Sequence, residues 1–150
     1  MSNVTIKARL AVLQAQISGV KHAFADAPNS ITNGDAPLFV NLSDRVEYHK
    51  DFYGPQIMQA IRNYQMILYA APRGTGLSGE AVRIAEPFMD SVMEYFVARP
   101  QLGLLDNVQD SEISEGTGVK ALQFGNDPWV GIAFSLRVWE AVPYEYADHE

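Results

Sequence analysis

The spacing of apolar and polar residues predicts the helices and strands of the N-terminal half. Apolar side chains recur at steps of three and four from residue 5 to residue 17, which is typical of an amphipathic helix, and Gly19 is suited to end it. A weaker alternation at residues 20–24 and a short apolar run at residues 38–42 indicate two strands. Residues 44–55 mix charged and aromatic side chains, and we expect a loop or a frayed strand there.

The rest of the pattern predicts a long strand at residues 61–71, an interrupted helix and a hairpin. Helical spacing runs from residue 78 to residue 99, but Pro87 lacks the N–H that a helix interior needs, so we expect a kink or a second helix beginning there. Residues 106–118 are polar and acidic, which favours a mobile loop. The hairpin strands are residues 119–124 and 129–142, joined by a Gly-Asn-Asp-Pro turn.

This order of elements predicts an α+β fold. We expect the order α-β-β-α-β-β, with a mainly antiparallel sheet of about four strands and two main helices packed on one face. The 150 residues fit one domain, residues 1–150, because folded domains commonly run to about 100–200 residues.

Charge and composition exclude several functions. The chain has 11 Lys and Arg against 18 Asp and Glu, a net charge of −7. Sequence-independent binding to nucleic acid or to an anionic membrane needs the opposite sign. No cysteine is present, which excludes disulfides, thiolate zinc sites and cysteine nucleophiles. We expect no secretion signal and no membrane span, because no apolar run reaches the required ~20 residues.

A Gly-x-Gly-x-x-Gly sequence from Gly74 to Gly79 is the one motif that indicates a nucleotide-binding enzyme. In dinucleotide-binding folds a parallel strand follows the helix and ends in an acid that holds the ribose. Here the predicted helix still continues at that distance, and a hairpin follows it. A flexible link in which Ser78 caps the helix explains the same residues, and the enzyme remains an alternative.

Other candidate chemistry is weaker. Glu47, His49 and Asp51 alternate and could hold a divalent ion, although a solvated strand edge fits them better. No serine lies in a Gly-x-Ser-x-Gly elbow. We therefore predict no catalytic residue, no metal ligand and no cofactor, and a protein that is not an enzyme.

The last predicted strand carries an unusual second face. Opposite its Val, Ile, Phe and Leu residues lie Trp129, Gly131, Ala133, Arg137 and Trp139. Small residues between tryptophans are typical of a surface that another protein approaches closely. These five residues are the candidate assembly interface. A helix of the same chain covering this face explains them equally well.

Several segments together resemble a known family. They are the N-terminal helix, Pro-Leu-Phe-Val-Asn-Leu at residues 37–42, Ala-Ala-Pro at residues 70–72, the helix Arg-Ile-Ala-Glu-Pro-Phe-Met-Asp-Ser-Val-Met-Glu-Tyr-Phe at residues 83–96, and the hairpin Phe-Gly-Asn-Asp-Pro-Trp-Val-Gly-Ile-Ala-Phe-Ser-Leu-Arg-Val at residues 124–138. In order, length and hairpin sequence these are similar to the tail terminator and tail-to-head joining proteins of long-tailed bacteriophages.

The resemblance implies a subunit of a homo-oligomeric ring, usually a hexamer, that closes the tail tube and joins it to the head connector. It implies no enzymatic role, a place in the virion tail or neck, and assembly in the host cytoplasm. An acidic lumen would let DNA pass without sticking. Candidate lumen or partner-facing residues are Asp106, Asp110, Glu112 and Glu115. A small ligand-binding or peptide-binding α+β domain is a further alternative.

Overall fold

In the computed structural model, residues 3–72, 79–115 and 117–147 are described. They contain three α-helices, one short 3-10 helix and six strands. The helices are α1 (Asn3–Gln14), α2 (Gly79–Ala85) and α3 (Pro87–Val97), and the 3-10 helix is Asn33–Asp35. The strands are β1 (His22–Phe24), β2 (Leu38–Gly54), β3 (Ile57–Pro72), β4 (Val108–Glu115), β5 (Lys120–Phe124) and β6 (Asp127–Pro143).

The six strands form one mixed sheet in the spatial order β1-β2-β3-β6-β4. β1 runs parallel to β2, and all other pairs are antiparallel. β4 and β5 pair with the same side of β6 at successive positions, Ser114 opposite Ser135 and Lys120 opposite Gly131. The centre of the sheet is therefore the long β3–β6 pair, and β2 and β4 flank it.

The predicted fold class is wrong in strand number and in element order. Residues 44–55, expected as a loop or frayed strand, continue β2 to Gly54, because Val46 to His49 and Gly54 pair with β3; the pairing shifts register before Val46 and after His49. Residues 106–118, expected as a mobile loop, contain β4. Val108 and Ile113 of β4 are buried against the helices, while the acidic side chains between them face outward. The sequence did not predict this strand, because its outward acidic side chains give the segment the composition of a solvated loop.

All three helices pack on one face of the sheet, which we call the helix face. Ile6, Leu10 and Leu13 of α1 are buried there, at the helical spacing that the sequence predicted. The predicted break at Pro87 is confirmed, since α2 ends at Ala85 and α3 begins at the proline. On α3, the buried side chains are Phe88, Val92 and Phe96. Each fully buried side chain of this size contributes about 1.5–3 kcal/mol.

Buried polar groups tie α1 to the sheet. Gln14 and Asn41 are both fully buried, and their amides exchange two hydrogen bonds, of 2.7 and 2.8 Å between the heavy atoms. The Asn41 amide also donates to the carbonyl oxygen of Phe24, 3.0 Å away. Pairing satisfies these groups, because an unpaired buried amide costs about 1–3 kcal/mol. Within the described residues, no helix has the length and apolar character needed to cross a membrane.

Candidate functional site

The second face of the sheet, opposite the helix face, carries the predicted assembly residues. One end of it is closed by the chain itself. Trp129 is 2% exposed and packs with Tyr69 in a T-shaped contact, with ring centroids 6.0 Å apart. Ile31 and Ala36, from the loop before β2, pack with these two rings in an apolar cluster that is separate from the core under the helices. Trp129 is therefore covered by its own chain and offers no surface to a partner.

Gly131 belongs to the same closed end. A Cβ atom at this position would lie 1.8 Å from the carbonyl oxygen of Leu68 and 2.9 Å from Cδ1 of Leu122. The glycine allows β6 to approach β3 where the pairing shifts between Tyr69 and Ala71. The small residue thus serves contact within the chain.

The other end of the second face is open, and we call it the open zone. Four neighbouring strands, β2, β3, β6 and β4, supply its side chains. The pairing register places Asn63, Arg137 and Glu112 in one row and Gln65, Ser135 and Ser114 in the next. These rows border a surface cavity of about 310 Å³. Its polar lining is Arg45, Asn63, Glu112, Ser114, Ser135 and Arg137.

Arg137 in the open zone has a buried hydrogen-bond donor and an aromatic neighbour. Its Nε atom is buried, and no acceptor for it lies within the described residues. The guanidinium carbon lies 5.6 Å from the ring centre of half-buried Trp139. Glu112 is directly opposite on β4, yet no ion pair joins the two. A buried donor without a partner costs about 1–3 kcal/mol, so native proteins rarely leave one unexplained.

The predicted acidic residues lie on β4 and in the turn before it, and Glu112 among them lines the cavity of the open zone. Asp110 and Glu112 lie on β4 and are exposed on the second face, opposite Trp139 and Arg137. Asp106 is exposed in the turn before β4. Glu115 is the last residue of β4. Asp110, Glu112 and Glu115 therefore belong to a strand at the edge of the sheet, and Asp106 lies in the turn that leads into it.

Glu47, His49 and Asp51, the candidate ion-binding residues in the C-terminal half of β2, take part in two separate contacts. Glu47 and His49 approach each other to 3.6 Å. The Asp51 carboxylate instead accepts hydrogen bonds from the Tyr144 hydroxyl and, at 2.8 Å, from the Gln56 backbone N–H. Among the described residues, no three His, Asp or Glu side chains come together as a metal site.

The hydrogen bonds to Asp51 predict a measurable pH effect. The Tyr144 hydroxyl and then the Gln56 N–H favour the charged form, so they hold the pKa of Asp51 below its ordinary 3.8. A lowered pKa stabilises the fold above the unfolded-state value, and that contribution is lost as pH falls through the folded-state value. We expect Tyr144→Phe to raise the Asp51 pKa towards 3.8, measured by NMR titration of its carboxyl carbon.

Tyr53→Phe is the matched control for this titration, because the Tyr53 hydroxyl contacts Gln59 and not Asp51. It should leave the Asp51 pKa unchanged. An Asp51 titration that is the same in Tyr144→Phe as in the wild type would contradict the assigned cause.

The glycine-rich link lies mostly outside the described residues, which resume at Gly79, the first residue of α2. Residues that precede and follow this link in the sequence, Pro72, Ala81 and the acidic Glu80, line a cavity of about 250 Å³. β6 lies between β3 and β4 and is antiparallel to both. In a dinucleotide fold the two strands that flank the phosphate-binding helix are adjacent and parallel.

Sequence reasoning identified Arg137 but missed Arg45, Asn63 and Ser114, which share its cavity. Their position depends on the register between four strands, and no local pattern encodes that register. The position of Glu112 directly opposite Arg137 could not be predicted either, because residues 106–118 were expected as a loop and not as a strand.

Comparison of the chain with protein-family models gave no match, and no curated protein matched it. Function is therefore inferred from the open zone and from the resemblance of the sequence segments.

Proposed function

We propose that the chain is a structural subunit of a phage or prophage tail, a terminator that closes the tail tube as a ring and joins it to the head. Its partners in this proposal are copies of itself, the tail tube protein and the head connector. The chain acts by assembly and performs no reaction.

The observation that carries the proposal is the uncovered open zone. Trp139 and Ala133 are half-buried there, and Leu42 is 41% exposed on the same face of β2. A half-buried arginine whose Nε lacks an acceptor in the described ranges, next to a half-buried tryptophan, is what a protein contact surface contributes, because aromatic residues and arginine dominate such contacts. The predicted interface is thereby reduced to Ala133, Arg137 and Trp139.

The acidic residues support the second half of the proposal. Asp106, Asp110 and Glu112 are exposed, and the chain as a whole has a net charge of −7. A ring whose channel repels phosphate lets DNA slide, whereas lysines and arginines would hold it.

Negative-stain microscopy of the purified chain at increasing concentration tests this function. We expect closed rings of one size with a central channel, and light scattering should give a matching integer number of subunits. Particles that stay monomeric, or open filaments without a closed ring, would contradict the proposal.

A further inference from the structure

We propose that helix α3 of a second copy docks on the open zone, with its outer carboxylates paired to Arg137 and Arg45. This inference deepens the proposed ring and rests on it. It names the surface that the zone receives, which the sequence resemblance does not specify.

An acidic stripe follows the outer side of α3 and is formed by Glu86, the residue just before the helix, and by Asp90 and Glu94. The three residues are spaced by four and exposed, and none pairs with a basic side chain in the described part of the chain. At about 100° per residue, the stripe points away from the buried Phe88 and Phe96 side of the helix. Like charges four residues apart destabilise a helix, and a cationic partner would reduce the repulsion between them.

The acidic stripe and the open zone lie on opposite outer layers of the molecule. α3 covers the helix face, and the open zone belongs to the second face. A contact between them therefore joins two different patches, so a pair of copies keeps one free stripe on the first copy and one free zone on the second. Head-to-tail contacts of this kind close into rings when the rotation between copies allows it.

Charge favours the acidic stripe of α3, rather than a DNA duplex, as the occupant of the open zone. The cavity of the open zone is lined by Arg45 and Arg137 and by one acid, Glu112, while the chain as a whole carries an excess of seven negative charges. Two arginines suit two or three carboxylates of a helix. A DNA duplex gains its affinity from many phosphate contacts, and a nearby glutamate opposes them.

Charge reversal on each surface tests the contact. Light scattering and sedimentation should show self-association of the wild type. Arg137→Glu alone and Asp90→Arg alone should each weaken that association on the order of a hundredfold, since like charges would then meet at the contact. Lys50→Glu is the control; it changes the net charge as Arg137→Glu does, it lies near the turn between β2 and β3 and outside both surfaces, and it should associate as the wild type does. Far-UV circular dichroism confirms that each variant is folded.

Mixing the two variants gives the sharper result. Arg137→Glu keeps its acidic stripe and Asp90→Arg keeps its open zone, so an equimolar mixture has one intact contact per pair. We expect a 1:1 dimer and nothing larger. A mixture that remains monomeric while wild type associates would overturn the inference.

The outcomes separate this inference from the proposed function. Rings that form equally well in both variants overturn the docking of α3 and leave the ring function standing. A heterodimer in the mixture, with no closed ring in the wild type, supports the docking and contradicts the ring. Binding of a short duplex DNA that Arg137→Glu abolishes, without any self-association, would assign the zone to phosphate and overturn the inference.

Discussion

Replacing Gly131 by alanine is expected to destabilise the protein by at least about 3 kcal/mol or to prevent folding. The new Cβ would lie 1.8 Å from the Leu68 carbonyl oxygen, a backbone atom of the adjacent central strand. Relief requires β6 and β3 to separate, and their pairing extends from Ile57 to Pro72. Overpacking against backbone costs more than overpacking against a flexible side chain, because the backbone cannot change rotamer.

Urea unfolding followed by circular dichroism measures this loss. Gly34→Ala is the control, since a Cβ there would meet only the Thr32 hydroxyl, 3.9 Å away. We expect it to change the free energy of unfolding by less than about 0.5 kcal/mol. A Gly131→Ala protein with the wild-type unfolding midpoint would show that the two strands are spaced more widely than described.

Gly131 also shows where sequence reasoning reaches its limit. A small residue between two tryptophans predicted contact with another molecule, and the closely approaching surface is β3 of the same chain. Alternation along β6 separates the two faces correctly, because it depends only on the period of a strand. It does not tell which strand or loop lies across from each residue. Trp129 and Trp139 share a face by sequence, yet only Trp129 is covered by the loop before β2.

Elements that depend on local rules were predicted well. Helical spacing located α1, and the missing N–H of Pro87 located the boundary between α2 and α3. β4 was missed because its two buried residues, Val108 and Ile113, are separated by polar side chains, so its composition is that of a loop. Its pairing with β6 over Val108–Glu115 supplies the stability that its own sequence does not reveal.

A buried ion pair on the helix face could not be predicted either, since its partners are 78 residues apart. Arg62 donates from Nε to Oε1 of Glu140 at 3.0 Å, and Glu140 is fully buried. Asn3, at the start of α1, accepts from Arg62 Nη1 at 3.1 Å and from the Tyr64 hydroxyl at 2.8 Å. The other oxygen of Glu140, Oε2, has no hydrogen-bond donor among the described residues. The arginine is therefore the main compensation for this buried carboxylate.

Removing only one member of this ion pair should also lower the free energy of unfolding strongly. We expect Arg62→Met to lower the free energy of unfolding by about 3–5 kcal/mol, because it leaves the Glu140 carboxylate buried without its cation. The double variant Arg62→Met with Glu140→Leu should recover most of that loss, since two apolar side chains need no partner and a buried pair adds little net stability. Urea unfolding of the wild type, both single variants and the double variant gives the coupling energy. If Arg62→Met costs no more than the double variant, solvent already compensates the carboxylate and the pair does not hold this end of the sheet to α1.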